Sequence, residues 1–339
     1  MRHDLCSFRA SVTVQPADLD LTPLVQMREA TRVFGEVTAA DHVSLDVSEG
    51  TILGLIGPSG SGKTTLIRML TGTVAPSSGE VRVLGEDPRR FRRETRERIG
   101  YLPQDFLLYR DLTAAENVSF VAALFGMFWP SRRRRTREVL ELVQLWDARR
   151  RLARDMSGSM RRRLALACAL VHDPAVLFLD EPTAGIDPLL RQMVWEELRR
   201  LRDGGRTLLV TTQYVGEAQH CDTVALLSDG QLIALDHPDR LVRRALGGDL
   251  LEVVTKRPID PRPVRDLRGI QRVEQRSPER LRVVAEDGSA ATPLIVDTIT
   301  AHGGEVATIN ERRPTLDEVF ALLVEDHRAR NGDPEPAAP

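Results

Sequence analysis

The chain has 339 residues, of which 42% are hydrophobic and 28% charged, as expected of a globular protein with one large and one small domain or two medium ones. A formal net charge of −2 gives no global field that would attract nucleic acid, so no nucleic-acid partner is expected. The three cysteines are widely spaced and form no C-x-x-C pair, which indicates neither a disulfide framework nor a zinc site and is typical of a reducing cytosol.

The start of the chain and its longest apolar stretch give no membrane-crossing segment. Residues 1–24 are charged, contain two prolines and lack an apolar core, which predicts a loose leader rather than a secretory signal. The apolar stretch Phe120–Trp129 has ten residues, whereas a helix that spans a bilayer needs about 20. It is rich in aromatic residues, and a buried helix is favoured for it over an exposed docking face. A membrane role would therefore come through a partner.

Two stretches ahead of residue 50 alternate apolar and polar residues, over 25–34 and 42–47. This period of two predicts antiparallel strands. Phe34 ends the first of them, just before Gly35. An exposed aromatic at this point would stack on an adenine ring, whereas an isolated aromatic is more often part of a core.

The most informative stretch reads G-x-x-x-x-G-K-T and lies between the apolar run Thr51–Ile56 and the helical run Leu66–Leu70. This is the P-loop pattern, in which glycines turn backbone N–H groups onto phosphate oxygens and the helix start adds its positive dipole end. Lys63 reaches the β- and γ-phosphates and the Thr64 hydroxyl ligates Mg²⁺. In so lysine-poor a chain, a chance match has odds of about one in a thousand. The expected phosphate-binding residues are Gly57, Pro58, Ser59, Gly60, Ser61, Gly62, Lys63, Thr64 and Thr65.

A second apolar run, Val176–Leu179, ends in two carboxylates, Asp180 and Glu181. Such runs are strands buried on both faces of a parallel sheet, and ligands of nucleotide-binding α/β domains lie at the carboxyl ends of these strands. Both carboxylates are therefore expected beside the P-loop. Asp180 is suited to Mg²⁺ coordination, and Glu181 to orienting or deprotonating the attacking water.

The segments around these motifs complete a first domain. The arginine-rich segments 89–98 and 132–135 are interpreted as solvated helix surfaces, with phosphate or lipid contact as the less favoured alternative, and Ser131 is expected to cap the helix at the second. A helix at 188–202, a strand at 207–211 and a hairpin at 224–235 with an Asp229-Gly230 turn follow.

After Gly248 the pattern changes to short strands and helices in the order β-α-β-β-α-β, which predicts a small ferredoxin-like α+β domain over 249–325. This part of the chain carries no cluster of catalytic or metal-binding residue types. The tail, 326–339, is rich in Pro and Ala towards its end and is expected to be disordered. The predicted strands and helices of this part are strands at 250–255, 271–275, 281–285 and 305–310, and helices at 263–267, 292–301 and 316–324.

As a set, these motifs resemble the ATP-binding cassette of ABC transporters over about 25–246, with the P-loop as its Walker A motif and Val176–Asp180 as Walker B. The resemblance implies an α/β fold of the P-loop NTPase type, with a mixed sheet core, an antiparallel β subdomain and a helical subdomain at about 105–171. It implies ATP and Mg²⁺ as cofactors and catalytic roles for Glu181, Gln213 and Lys63. The further site residues that it implies are Phe34 for adenine stacking, Gln104 of the Q-loop as a nucleotide and metal ligand beside Thr64 and Asp180, Ser157, Gly158 and Ser159 of the signature motif, and Asp187 of the D-loop.

The resemblance also implies partners. Two cassettes would close head to tail, with each ATP held between one Walker A motif and the signature motif of the other subunit. Because this chain has one P-loop, it would need a second copy or a sister cassette. The pair would drive a separate transmembrane permease from the cytoplasmic face of the membrane.

Two motifs depart from the family pattern. In the signature motif, Met156 and Ser159 stand where the family has its first leucine and second glycine. The Ser159 Cβ is expected to restrict the backbone and to crowd a place where glycine allows close approach, which would slow hydrolysis or weaken one of two sites. Gln213 stands where most members have histidine, and its amide can bond a γ-phosphate but cannot relay a proton. The stretch 211–214 and the pattern 314–320 are similar to drug-resistance exporter cassettes of the daunorubicin type.

The favoured hypothesis is therefore the ATPase subunit of a bacterial exporter of drugs, antibiotics or lipid-like compounds. One alternative is a soluble cassette ATPase that acts on ribosomes or DNA, against which a single cassette without sustained heptads argues. A second is a regulatory protein without turnover, against which Lys63 and Glu181 argue. The third is an importer cassette, which would more often carry histidine at position 213.

Overall fold

The computed structural model describes residues 23–105, 108–312 and 315–331. The chain divides into two compact units, one ending at Asp236 and the other beginning at His237. The predicted leader lies, up to residue 22, outside the described residues. The first unit contains, in chain order, β1 (Val25–Phe34), β2 (Val37–Val47), β3 (Ile52–Ile56), α1 (Lys63–Leu70), β4 (Ser78–Val83), α2 (Arg93–Glu97), β5 (Ile99–Leu102), α3 (Ala114–Leu124), α4 (Trp129–Leu142), α5 (Gly158–Leu170), β6 (Val176–Asp180), α6 (Pro188–Asp203), β7 (Thr207–Thr212), β8 (Thr223–Ser228) and β9 (Gln231–Asp236).

A six-stranded sheet of order β5-β6-β7-β3-β8-β9 forms the centre of the first unit. Its strands are parallel except β9, which returns antiparallel to β8. Every residue of β3, β6 and β7 is buried, as their continuous apolar runs require of strands covered on both faces. Because β7 lies between β3 and β6, the P-loop, Asp180 and Thr212 come to the same edge of the sheet.

A three-stranded antiparallel sheet of order β2-β1-β4 and a group of helices, α3 to α5, flank the central sheet. The buried side chains of β1, β2 and β4 join those of α1 and the central strands in one hydrophobic core. The predicted mixed sheet core, antiparallel β subdomain and helical subdomain are thus confirmed.

The apolar stretch Phe120–Trp129 is not a buried helix, and that prediction was wrong. α3 ends at Leu124, and Gly126 adopts a left-handed conformation with φ of 71° that turns the chain before α4 begins at Trp129. α3 buries its smaller residues, such as Ala114 and Ala122, and leaves its larger ones outside. Leu124, Phe128 and Trp129 are 68%, 76% and 60% exposed.

Arginines of both arginine-rich segments lie on solvated surfaces, as predicted, but Ser131 is not the helix cap that the sequence predicts. Arg93 pairs with Glu97 and Arg134 with Glu138, each at i,i+4 spacing on a solvated surface. Ser131 is not the cap of α4, because Pro130 already lies in its first turn and Phe128 occupies the N-cap position.

The second unit has the ferredoxin-like topology that the sequence predicts. Its elements are α7 (Pro238–Leu246), β10 (Asp249–Thr255), α8 (Arg262–Arg265), β11 (Ile270–Ser277), β12 (Arg280–Ala285), α9 (Gly288–Ala301), β13 (Val306–Glu311) and α10 (Leu316–Asn331). Its four-stranded antiparallel sheet has the order β11-β12-β10-β13, and one of its hydrophobic clusters joins the sheet to α8 and α9.

The bounds of the second unit differ from the sequence prediction at two places. The helix α7 packs against α10, which groups α7 with this unit, whereas the sequence boundary near residue 246 assigned it to the first. The helix α10 continues to Asn331, past the predicted end at 324.

A half-buried histidine, His172, joins the helical subdomain to β5, the strand that leads into the Q-loop. The His172 ring stacks on Phe125 with 3.7 Å between centroids, and its Nε2 donates to the Ile99 carbonyl at 2.9 Å. Nδ1 is buried without a hydrogen-bond partner among the described residues. Burial lowers the pKa of His172 from its ordinary value of 6.5. The fold therefore holds the neutral ring, because protonation would bury an unpaired N–H group.

We predict that the free energy of unfolding falls as the pH drops below 6.5, the ordinary pKa of His172, because the unfolded chain then binds the proton that the fold excludes. Above that pH the histidine costs nothing. His172→Gln should flatten this dependence in urea unfolding measured from pH 7 to pH 5. Equal slopes for wild type and His172→Gln would contradict the assignment.

Candidate nucleotide-binding site

The predicted P-loop connects β3 to α1 as a tight, well-supported turn. Gly60 and Gly62 are left-handed, with φ of 82° and 97°. A side chain on Gly57 would collide with the Leu227 carbonyl, and one on Gly62 with the Ala39 carbonyl. Pro58 and Ser59 are exposed at the loop tip, while Ser61 is buried with its hydroxyl unpartnered among the described residues. The loop therefore needs its glycines and presents a buried hydroxyl together with the start of α1, where Thr64 and Thr65 follow Lys63.

The Lys63 ammonium lies inside this loop. Its Nζ donates to the carbonyls of Gly57 and Pro58 at 2.7 and 2.8 Å. Burial lowers the pKa of Lys63, and the nearby carboxylates of Glu181 and Asp180 oppose that shift. The Lys63 ammonium is thus held at a place where the phosphate oxygens of a nucleotide would replace these two carbonyls as its hydrogen-bond acceptors.

Asp180 is fully buried at the end of β6, and one of its oxygens accepts two hydroxyl donors. Thr64 Oγ1 donates to Oδ1 at 3.2 Å and Thr211 Oγ1 at 2.6 Å. The other oxygen, Oδ2, is buried without a hydrogen-bond partner among the residues that the structure describes. An ionised buried carboxylate is costly unless a cation or donors satisfy it, so Oδ2 is suited to a metal ion or its water.

The described residues contain no group of three His, Cys, Asp or Glu side chains that could hold a metal ion by itself. Mg²⁺ usually takes one or two protein oxygens and completes its octahedral shell with water and phosphate.

Glu181 follows Asp180 in a left-handed conformation, with φ of 51°, which is uncommon for a residue other than glycine. Its backbone is held at both ends. The N–H group donates to Thr211 Oγ1 at 2.9 Å, and the carbonyl accepts from the Arg162 guanidinium at 2.5 Å and from the Ala184 N–H at 3.1 Å. The strained backbone is thus fixed by its surroundings, as at many catalytic positions.

Gln104 lies in the loop after β5 and is exposed. Its carbonyl accepts from Arg162 Nη1 at 2.7 Å, so one guanidinium contacts both Gln104 and Glu181. Phe34 is exposed at the end of the β1–β2 hairpin, and the Arg32 guanidinium lies 4.4 Å from its ring centroid. β2 then passes the P-loop at Ala39, which places the hairpin beside the phosphate site with one face of Phe34 covered by Arg32.

The signature segment forms the start of α5. Ser157 is the N-cap, and its Oγ accepts from the Met160 N–H at 3.2 Å. Ser157 and Gly158 are exposed, and Ser159 is half-buried in the first helical turn. Ser159 is therefore helical rather than left-handed, so the expected restriction of the backbone by its Cβ does not occur. The part of the hypothesis that remains is that the Ser159 side chain crowds a bound nucleotide.

Asp187 and Gln213 lie on two further loops at the carboxyl ends of strands. Asp187 is exposed and caps α6, accepting from the Leu190 N–H at 3.1 Å. Gln213 is exposed directly after β7. Next to it, the ring of Tyr214 lies 4.2 Å from the Arg191 guanidinium.

Two residues of this arrangement were missed by the sequence analysis. Thr211 organises Asp180 and Glu181 through a single hydroxyl, but it lies in a strand whose pattern shows only an apolar run with threonines. Arg162 is one of three consecutive arginines, and no sequence signal distinguishes it from Arg161 and Arg163.

Comparisons with known proteins agree with this geometry. The family model for the ABC transporter matches residues 40–184, and that for the ATP-binding protein DrrA1-3-like C-terminal domain matches residues 240–324. The daunorubicin resistance ATP-binding protein DrrA2 of Streptomyces coeruleorubidus is 40% identical over 310 residues, which cover 90% of this chain and 96% of that protein. The chain belongs to the ABC transporter family of ATP-binding proteins.

Other relatives and structures place the cassette in the same group. The Nod factor export ATP-binding protein I of Cupriavidus metallidurans is 34% identical, covering 89% of this chain and 98% of that protein. A dimeric ATP-binding cassette in a post-hydrolysis state, bound to ADP and phosphate, is 27% identical with a TM-score of 0.59, covering 63% of this chain and 98% of that one. The chain is an ABC-type ATPase, homologous to the ATP-binding subunits of drug-resistance exporters.

We predict that Thr211→Val slows ATP turnover by roughly tenfold, since misplacement of reacting groups by a fraction of an ångström has costs of this order. Thr207→Val provides a matched control, because Thr207 is equally buried at the other end of β7 and its hydroxyl accepts from the Gly50 N–H at 2.9 Å. Each variant should lose about 1 kcal/mol of stability. Steady-state measurements should give a lower kcat for Thr211→Val than for the Thr207 control variant. Equal kcat values would contradict the role of Thr211.

Ser159→Gly should raise turnover at saturating ATP if the side chain crowds the ligand. The change costs the helix about 0.5 kcal/mol of stability, because glycine is the poorer helix former. Ser131→Gly in the first turn of α4 controls for that cost. Unaltered turnover in Ser159→Gly would remove support for slower hydrolysis at this signature motif.

Proposed function

We propose that the chain is the ATP-hydrolysing subunit of a bacterial exporter, working with a second cassette and a separate membrane permease. The observation that carries the proposal is the contact of Thr64, at the start of α1, with Asp180, at the end of β6. It joins a phosphate-binding loop to a buried carboxylate whose free oxygen suits a metal ion. Glu181 lies directly beside them.

We assign the roles as follows. The P-loop residues and Lys63 bind the phosphates, and Phe34 stacks on the adenine with the Arg32 guanidinium on its other face. Thr64 and Asp180 would hold Mg²⁺, which would neutralise negative charge on the phosphates when bound. Glu181 orients or deprotonates the attacking water, and Gln213 bonds the γ-phosphate through its amide. The metal-ligand role of Gln104 rests on the family resemblance. The contact that the structure shows for this residue is the hydrogen bond of its backbone carbonyl with Arg162.

We infer a second cassette because Ser157 and Gly158 are exposed at the start of α5, on a different element from the P-loop. A helix start with free N–H groups is an anion site, and in this family it completes the site of the other subunit. The dimeric cassette that matches this chain supports the arrangement. Asp187, at the exposed start of α6, belongs to the same proposed interface.

Among the residues that the structure describes, each helix is too short or too polar to span a bilayer. We assign transport to a separate permease and the cassette to the cytoplasmic face of the membrane, as the family resemblance implies. The relatives named for daunorubicin resistance and Nod factor export support a drug-like or lipid-like substrate.

A surface suited to the permease lies on the helical subdomain. Phe120, Trp129 and Trp146, together with Arg133 and Arg149, line a groove of about 590 Å³ between α3 and α4, here called the aromatic groove. Its basic rim includes the Arg149 guanidinium, 4.6 Å from the Trp146 ring centroid. We assign it a cytoplasmic segment of the permease, because an apolar groove with a charged rim fits a helix that also faces water.

The proposed reaction is tested with Glu181→Gln. We expect the variant to bind ATP with a Kd within about twofold of wild type and to lose at least about a hundredfold in Mg²⁺-dependent kcat, because the carboxylate acts on water rather than on the nucleotide. Binding is measured by a fluorescent ATP analogue and turnover by phosphate release. Full turnover in the variant would refute the assignment of Glu181.

The aromatic groove is tested by changing its exposed centre. Trp129→Ser should leave the ATPase rate of the isolated chain within about twofold and lower the fraction of chain retained on washed host membranes, because membrane attachment runs through the permease. Leu294→Ser, at an exposed apolar side chain of the second unit, is the control. Undiminished retention of Trp129→Ser would exclude this groove as the attachment surface.

A further inference from the structure

Arg162 lies in α5, one turn after the signature segment, and is buried although it carries a charge. Its side chain leaves the helical subdomain and ends between two loops of the central sheet. Nη1 donates to the Gln104 carbonyl at 2.7 Å, after β5, and Nη2 donates to the Glu181 carbonyl at 2.5 Å, after β6. A planar guanidinium is the side chain that can present two donors in this fixed geometry.

Burial of this guanidinium is costly, and the surrounding carboxylates offset part of the cost. Desolvation lowers the pKa of Arg162, and the charges of Glu181, Asp180 and Asp105 oppose the shift. The Arg162 guanidinium is thus buried among carboxylates of the site while it bonds two backbone carbonyls. Here both acceptors belong to loops that carry proposed site residues.

The backbone conformation of Glu181 gives the contact its consequence. Its φ of 51° is strained, and the Arg162 donor is one of three hydrogen bonds that hold it. Loss of this donor would allow the peptide after Glu181 to relax, and the carboxylate would turn with it.

The neighbouring arginines serve as internal references. Arg163 is half-buried, and its Nη1 donates to the backbone carbonyls of Val143 and Gln144 at 3.0 and 3.3 Å. Both of these acceptors lie at the end of α4, inside the helical subdomain. Arg163 therefore matches Arg162 in residue type and helix, but it is less buried and its two bonds go to the helical subdomain rather than to the site loops.

We propose that Arg162 is a positioning residue for ATP hydrolysis, linking the signature helix to the Q-loop and setting the orientation of Glu181. The proposal rests on the function assigned to Glu181 above. A shift of α5 relative to the central sheet is then transmitted to both loops through one guanidinium. ATP affinity, which depends on the P-loop, is not set by this residue.

The test compares Arg162→Lys with Arg163→Lys and with Glu181→Gln in the full chain. Lysine keeps the charge but cannot donate to both carbonyls in the fork geometry. We expect Arg162→Lys to lower kcat by roughly ten- to a hundredfold while the Kd for ATP stays within about twofold. Arg163→Lys should keep kcat within about twofold of wild type.

The outcomes separate the two proposals. Equal losses of kcat in both arginine variants, or a loss in Arg162→Lys that follows a weaker ATP Kd, would overturn the positioning role as a packing effect. Normal kcat in Arg162→Lys together with an inactive Glu181→Gln would overturn the role of Arg162 alone. Full activity of Glu181→Gln would instead refute the assignment on which the inference rests. If Arg162→Lys does not fold by circular dichroism, Arg162→Gln is measured against Arg163→Gln under the same criteria.

Discussion

The buried charge of Asp180 is the constraint on which the rest of the site depends. A carboxylate with no exposure must be matched by donors or cations, and among the described residues one of its oxygens accepts from the hydroxyl groups of Thr64 and Thr211 while the other has no hydrogen-bond partner. Lys63 and Arg162 are also buried and interact with this carboxylate, and desolvation lowers the pKa of each. The site is thus a set of opposite charges withdrawn from water, which strengthens their effect on any phosphate that enters.

The sheet order brings these charges together. β7 separates β3 from β6, and its Thr211 bridges the gap by donating to Asp180 and accepting from the backbone of Glu181. The antiparallel sheet supports the P-loop from the other side, where the Ala39 carbonyl fills the space that a side chain on Gly62 would need. Arg162 connects α5 to the same edge. Each of the three parts of the cassette therefore places at least one group at the nucleotide site.

Much of this was predictable from the sequence, because the P-loop and the apolar run before Asp180 and Glu181 report directly on phosphate binding and on a buried parallel strand. The ferredoxin-like order of the second unit followed from its alternating strands, and its sheet has that topology. The contacts of Thr211 and Arg162 were not predictable, since they depend on how distant segments meet. The surface position of Phe128 and Trp129 was missed because composition suggests burial, whereas the left-handed turn at Gly126 leads the chain outward. For Ser159, the sequence suggested a strained backbone, and the structure shows an ordinary helical turn.

The central claim is that one chain supplies half of each complete site, with its P-loop and carboxylates on one side and the start of α5 serving a second cassette. The most direct measurement is the Mg²⁺-dependent ATP turnover per chain as the concentration of purified chain is lowered over about three decades at saturating ATP. The account predicts that turnover per chain falls steeply on dilution, because dissociated cassettes lack the second half of the site. A turnover per chain that stays constant down to concentrations at which sedimentation shows only monomers would contradict it.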